Sequence, residues 1–213
     1  MDIEELRATY DVVAAEYASR FANELSGKPF DRKMLEWFAE RVDGHGEILD
    51  LGCGPGHVAL YLHDRKAKVR GIDLSDEMIR QARLVAPNVP FEQGDMLTLY
   101  RVPDASIAGI VALYSLVNFD NDDVDRALRQ MHRVLIANGL LLLAVHLGEG
   151  TVQVDRFLDQ DASLPFTFFN GNRLRGQVEA AGFVVTEAIE REPYVGHEYP
   201  SRRSYIFATR SPN

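Results

Sequence analysis

The stretch Glu47-Ile48-Leu49-Asp50-Leu51-Gly52-Cys53-Gly54-Pro55-Gly56 most narrows what this chain can fold into. A short apolar run ends in a glycine-rich turn, and Val58 to Leu62 resumes at helical spacing, so the segment reads strand, loop, helix. The alternation then repeats: strand Lys68 to Asp73, helix Asp76 to Ala86 with Ser75 as N-cap, strand Val89 to Glu92, strand Ser106 to Leu113, helix Asp122 to Ala137, strand Leu140 to His146. Strands alternating with helices build an α/β protein with a doubly wound, mostly parallel sheet.

The flanks differ. Before the first strand, Tyr10, Val13, Ala14, Tyr17 and Phe21 form one helical stripe, and Met34, Leu35, Phe38, Ala39 and Val42 form a second after the turn Ser26-Gly27-Lys28-Pro29. Residues 148–171 carry Phe157, Leu158, Leu164, Phe166, Phe168 and Phe169 without a clear period, which suits a small lid or wall insertion. A helix from Asn172 to Ala181 follows, stopped by Gly182. Phe183 to Glu190 and Ser204 to Arg210 then suit an antiparallel strand pair on one sheet edge. The 213 residues read as one domain, 1–213: a helical cap (1–44), a cofactor-binding core (45–147), and the lid with the strand pair (148–213).

In a doubly wound sheet, ligands bind outside the carboxyl ends of the strands where the strand order reverses. Asp50, Asp73, Asp95, Tyr114 and His146 all fall at or just past such ends. Glycines after the first strand let a backbone approach a ligand closely, and the open N–H groups of a helix start favour a negative group. Asp73 lies 21 residues beyond Gly52, the distance at which a carboxylate on the neighbouring strand tip accepts both hydroxyls of a ribose. Gly94-Asp95-Met96 would set a carboxylate near an exocyclic amine and a thioether beside the ring. Each Asp alone is equally a helix cap or turn residue; three in one crevice point to nucleoside binding.

Composition removes other classes. The balance of 23 basic against 32 acidic residues, a formal charge of −9, repels a polyanion such as nucleic acid. The longest nearly unbroken apolar run, Leu140 to Leu147, is far short of the roughly 20 residues that cross a bilayer. The acidic, amphipathic start is unlike a secretion signal. One cysteine, Cys53, makes no internal disulfide and suits a reducing, cytoplasmic setting. No histidine pair has metal-ligand spacing, so no metal is expected. Oligomeric state is not legible.

These motifs resemble the class I S-adenosylmethionine-dependent methyltransferases that act on small molecules, over most of the chain. Ile48 to Gly56 is similar to the family's first motif, Gly71 to Ser75 to the acidic second, Gly94-Asp95-Met96 to the third, and Val111 to Phe119 to the strand and loop lining the cofactor. Arg133-Val134-Leu135 before a glycine turn and strand fits as well. The resemblance implies a Rossmann-like, seven-stranded sheet and S-adenosylmethionine as cofactor. It implies backbone contacts from Gly52, Cys53 and Gly54 to the methionine portion, with Asp50 in the same motif, and Asp73 with Leu74 at the ribose. It further implies Asp95 with Met96 at the adenine, Leu113 and Tyr114 at the methionine end, and Tyr17, with Tyr10, on a helix folded over the cofactor, although that stripe equally suits core packing. Two departures stand out. Ala137-Asn138-Gly139 replaces the usual Pro-Gly-Gly, and Val117-Asn118 stands where many relatives carry histidines.

The implied chemistry is in-line displacement of a methyl group from a positively charged sulfur onto a small-molecule acceptor, in which positioning dominates and a base is needed only if the acceptor is not already nucleophilic. His146 is the candidate base, ending a strand on the cofactor side, with Glu149 second; His146 is equally a rim histidine bonded to the backbone. Leu164 to Phe169, Tyr194 and Tyr199 are candidate walls of an apolar acceptor pocket or ordinary core. Arg191, Glu198, Arg202 and Arg203 could frame a polar group, but surface ion pairs account for them more simply. The alternatives are a noncatalytic S-adenosylmethionine-binding regulatory or partner module and, further off, an NAD(P)-dependent dehydrogenase. Against the latter, His57 occupies the place where a dinucleotide fingerprint needs its last small residue.

Overall fold

A seven-stranded sheet in the order β3-β2-β1-β4-β5-β9-β8 organises the computed structural model, which describes residues 2–211. Met1, Pro212 and Asn213, the ends of the expected 1–213 span, lie outside the described residues. Strands β1 (Ile48–Leu51), β2 (Val69–Asp73), β3 (Phe91–Gln93), β4 (Ile107–Leu113) and β5 (Leu135–His146) run parallel. β8 (Phe183–Arg191) and β9 (Arg203–Arg210) close one edge antiparallel, with β9 hydrogen-bonded to β5 over Leu140–His146. The strand order reverses between β1 and β4, whose register pairs Asp50 with Val111 while Asp50 also pairs with Gly71 of β2, so the carboxyl ends of these strands lie level.

Side chains alternate across the sheet and are covered on both faces. Leu141, Leu143 and Val145 of β5 join one core with Val124, Leu128 and Met131 of α5 (Asn121–Val134) and Leu174 and Val178 of α6 (Gly171–Ala180). Leu140, Leu142 and Ala144 join the other, against α2 (Pro29–Val42), α3 (His57–Asp64) and α4 (Asp76–Val85). Burial on both faces is why these strands are near-continuous apolar runs. α1 (Ile3–Phe21) lies against α4, anchored where Asp11 Oδ1 accepts from Ser75 Oγ at 2.6 Å and from Glu77 N at 3.2 Å. Ser75 caps α4 as expected, its Oγ accepting from Met78 N.

Several boundaries depart from the sequence reading, among them the start of β5 at Leu135 instead of Leu140. α5 stops at Val134, not Ala137, because the carbonyls of Arg133 and Val134 accept from Ala105 N and Ser106 N as the chain enters β4. The backbone then turns through Asn138 in the left-handed region (φ +61°), which Asn tolerates better than most residues. β3 begins at Phe91 because Pro90 has no N–H for a ladder, although its carbonyl accepts from Gly71 N. The lid is an antiparallel pair, β6 (Thr151–Val154) with β7 (Leu164–Thr167); exposure of β6 and Pro165 within β7 hid both strands from pattern reading. No described helix is long and apolar enough to cross a membrane.

Candidate active site

A cavity of about 680 Å³ opens at the carboxyl ends of β1 to β5, under α1 and the β6–β7 pair. Its wall includes every residue singled out above as cofactor-binding and the first candidate base: Tyr17, Asp50, Gly52, Cys53, Gly54, Asp73, Leu74, Asp95, Met96, Leu113, Tyr114 and His146, together with Tyr10. The volume is ordinary for a pocket holding a small ligand. Of Leu164 to Phe169, only Phe166, Thr167 and Phe168 line it, while Leu164 and Phe169 pack in the core; Glu149 and Tyr194 are not in the wall. Glu149 is exposed beyond the end of β5, and the Tyr194 hydroxyl accepts from Phe30 N at 3.2 Å.

The loop after β1 is held by its own donors. Gly52 N and Cys53 N both donate to the Ile72 carbonyl, at 2.8 and 3.0 Å, and Gly54 N donates to Asp73 Oδ2 at 2.8 Å. The N–H groups of these three loop residues are therefore spent within the protein. The Cys53 sulfur lies against Gly71, under the loop, and burial pushes its thiol up. Gly52 has φ +72°, and a Cβ there would stand 2.4 Å from Cβ of Ser115, so only glycine lets β1 close onto the loop after β4.

Carboxylates dominate this end. Asp50 is 2% exposed; burial, opposed by His57 and the Ala59 N–H of the first turn of α3, pushes it up to about 7. Its Oδ2 has no hydrogen-bond partner. Asp73 is held by Gly54 N and Ser75 N, and burial still raises it to about 6. Asp95 caps the turn after β3 through Leu97 N at 2.8 Å. Each of these acids thus also does the capping work anticipated as the alternative reading, while facing the cavity.

Above the acids sit the tyrosines of α1. Tyr10 donates to Asn118 Oδ1 at 2.7 Å, and Asn118 Nδ2 donates to the Pro165 carbonyl, so the residue standing where relatives carry a histidine ties α1 to β7. Tyr17 packs on Phe21 and Phe157, and burial keeps both tyrosines protonated.

The far end is built differently. Tyr114, at φ +55°, donates to Asp31 Oδ1 at 2.9 Å and meets the Tyr205 hydroxyl at 3.0 Å. Asp31 Oδ2 accepts from Arg191 and Tyr205, and Glu198 takes Arg191 through both oxygens at 2.7 Å. Asp31, Glu198 and Arg203 are buried, so the surface-pair reading of Arg191, Glu198 and Arg203 is corrected; it holds for Arg202, which pairs with Glu190 and Glu192. His146 stacks 5.0 Å from the Tyr114 ring, its Nδ1 2.8 Å from Ser201 Oγ. Burial, then Arg203 and Lys28, lower it to about 4, so it is neutral at physiological pH.

Sequence reasoning missed Glu24, Lys28 and Asp31. Glu24 bridges Lys28 (2.7 Å) and His57 (3.0 Å), which hold it at about 2 against the opposing effect of burial. Only the turn around Pro29 marked this segment, and Asp31 looks like an ordinary first-turn acid of α2.

Residues 48–139 match the family model described as a methyltransferase domain. The chain is 30% identical over 158 residues to YqeM of Bacillus subtilis strain 168, which is provisionally named a methyltransferase, covering 70% of this chain and 63% of that protein. Residues 48–139 thus belong to the S-adenosylmethionine-dependent methyltransferases. A trans-aconitate 2-methyltransferase of Shigella dysenteriae is 30% identical over 168 residues, covering 75% of this chain and 64% of that enzyme. The chain thus spans somewhat less than two thirds of these relatives' lengths.

The fold is shared end to end with two solved structures. A complex titled DhpI-SAH has TM-score 0.74 at 20% identity over 99% of this chain and 98% of that one, and the [4+2]-cyclase SpnF has 0.75 at 18% over 100% and 98%. The wall of this cavity fits the family's cofactor. The unpaired, buried Asp50 oxygen suits an ammonium, and Asp73 and Asp95 offer acceptors to the hydroxyl and amine donors of a nucleoside.

Proposed function

We propose that this chain binds S-adenosylmethionine in the cavity at the strand ends and transfers its methyl group to a small-molecule acceptor. The observation that carries the reading is the orphaned Oδ2 of Asp50, a buried acceptor facing a cavity that Asp73 and Asp95 also line. A native structure seldom leaves such a group without a partner, and at the wall of a cavity a ligand, an ion or water supplies one.

In this reading Asp50 holds the amino group of the methionine portion, beside Gly52, Cys53 and Gly54, whose clearances admit it. Asp73, with Leu74, takes the ribose diol, and Asp95 with Met96 borders the adenine. Leu113 and Tyr114 border the methionine end, and Tyr17 and Tyr10 close over the site and exclude water. When bound, S-adenosylmethionine supplies a methyl already activated by a positive sulfur, so the protein's part is chiefly alignment. His146, neutral and held by Ser201, orients the acceptor and takes a proton only if one leaves during transfer. The acidic chain disfavours nucleic acid, and the single buried thiol suits the cytoplasm.

Calorimetry with S-adenosylmethionine and S-adenosylhomocysteine is the first test, and Asp73→Ala should weaken both by about 10- to 100-fold. Absent binding, or binding indifferent to Asp73, overturns the reading. Methyl transfer to any member of a metabolite panel discards the noncatalytic alternative.

A further inference from the structure

The two ends of the cavity carry different charged groups. Asp50, Asp73 and Asp95 line the tips of β1, β2 and β3, whereas near His146 the cations Lys28 and Arg203 line the wall together with Glu24, Asp31 and Glu198. Both have donors left over. Arg203 is 2% exposed; its Nη1 donates to the carbonyls of Tyr199 and Ser201, but its buried Nε has no hydrogen-bond partner. Glu198 Oε1 lies 3.5 Å from that Nε, an ion pair without a hydrogen bond; the same oxygen accepts from Arg191, and Oε2 accepts from Arg191 and Tyr194 N. Lys28 donates to Glu24 and lies 4.9 Å from the centre of the Tyr114 ring.

Aromatic rings complete this end. Phe168 and Tyr199 stand 5.8 Å apart, each within 6.3 Å of the His146 ring, which lies against Tyr114. A buried cationic N–H that makes no hydrogen bond, beside a lysine with donors to spare and apolar faces, matches a ligand with an anionic head and a flat or apolar body.

We propose that this end is the acceptor subsite and that it takes a small organic acid, whose carboxylate accepts hydrogen bonds from Arg203 Nε and Lys28 Nζ while its body lies against Tyr114, Phe168 and Tyr199. The inference rests on the methyltransferase reading above and names its substrate class. Lys28 and Arg203 are then specificity residues.

The test is calorimetry on the full chain loaded with S-adenosylhomocysteine, titrated with a panel of small mono- and dicarboxylic acids, each beside its neutral amide. At least one acid binds, and its amide binds about tenfold or more weakly. Lys28→Met weakens the acid by about 10- to 100-fold, whereas Lys28→Arg keeps most of the affinity. A silent panel, amides that bind as well as acids, or an acid affinity unchanged by Lys28→Met overturns the proposal. The acid-to-amide ratio in the unaltered chain needs no variant to fold. Titration with S-adenosylhomocysteine alone separates the two readings. If it does not bind while an acid still binds the unloaded chain with the same Lys28 dependence, the cofactor assignment fails and the anion subsite stands.

Discussion

Asp50→Asn tests the electrostatics of the site directly. The side chain keeps its shape and an acceptor for the Ala59 N–H, but it cannot ionise. In the folded chain the Asp50 carboxyl sits at about 7 against an ordinary 3.8, so between those values the folded state holds a proton that the unfolded state has lost. Stability contributed by this group therefore falls as pH rises from about 4 to about 7, and the full cost applies above that. The gap corresponds to about 4 kcal/mol, an upper figure because it treats one acid in isolation from Asp73. Asp50→Asn should match the parent near pH 4 and exceed it by roughly 2–4 kcal/mol near pH 8, without ligand. It should also bind S-adenosylhomocysteine about 10- to 100-fold more weakly, since the anion facing the ammonium is gone. Urea unfolding followed by circular dichroism at a series of pH values measures the first, calorimetry the second. A stability difference that does not change with pH, or a variant less stable at every pH, would refute the reasoning.

Other perturbations have signs that follow from the same geometry. Gly52→Ala forces a left-handed backbone and a 2.4 Å contact with Ser115, and should cost about 2–4 kcal/mol in chemical denaturation and abolish cofactor binding; near-neutral behaviour would mean the loop relaxes freely. Asp31→Ala strips the buried partner from Arg191 and both tyrosines and should destabilise by about 3–5 kcal/mol, while Arg202→Ala, on the exposed side, should stay within about 0.5 kcal/mol. Equal effects would sink the distinction. Because His146 is neutral above about 4, the pH profile of kcat/KM should show no limb near 6.5 from this residue, and His146→Gln should leave the profile's shape in that range unchanged. A limb there that vanishes in the variant would show that His146 titrates during turnover.

Much of the fold was legible because local and global signals agree in the first two thirds of the chain. Ile48–Leu51 and Ile107–Leu113 are mostly apolar runs of strand length, each followed by a turn and a helical stripe, and buried parallel strands leave that trace in a sequence. The strand-end residues were legible for the same reason: once the order of elements is known, a parallel sheet puts every strand's carboxyl tip at one edge. β6 and β7 were not, since β6 is largely exposed and β7 contains proline, and neither carries the alternation of a half-buried strand.

The glycine spacing, the acidic strand tips and the order of elements determined the class of fold and the acids that line the cavity, because those features act through backbone geometry close in sequence. Only the tertiary structure decided what each group has left to offer. Gly54 N is spent on Asp73, Asp50 keeps an oxygen free, and Asp31 is joined to Arg191 across 160 positions of sequence. Burial and hydrogen-bond partnership are set by segments that meet only when the sheet closes, so no local pattern can announce them.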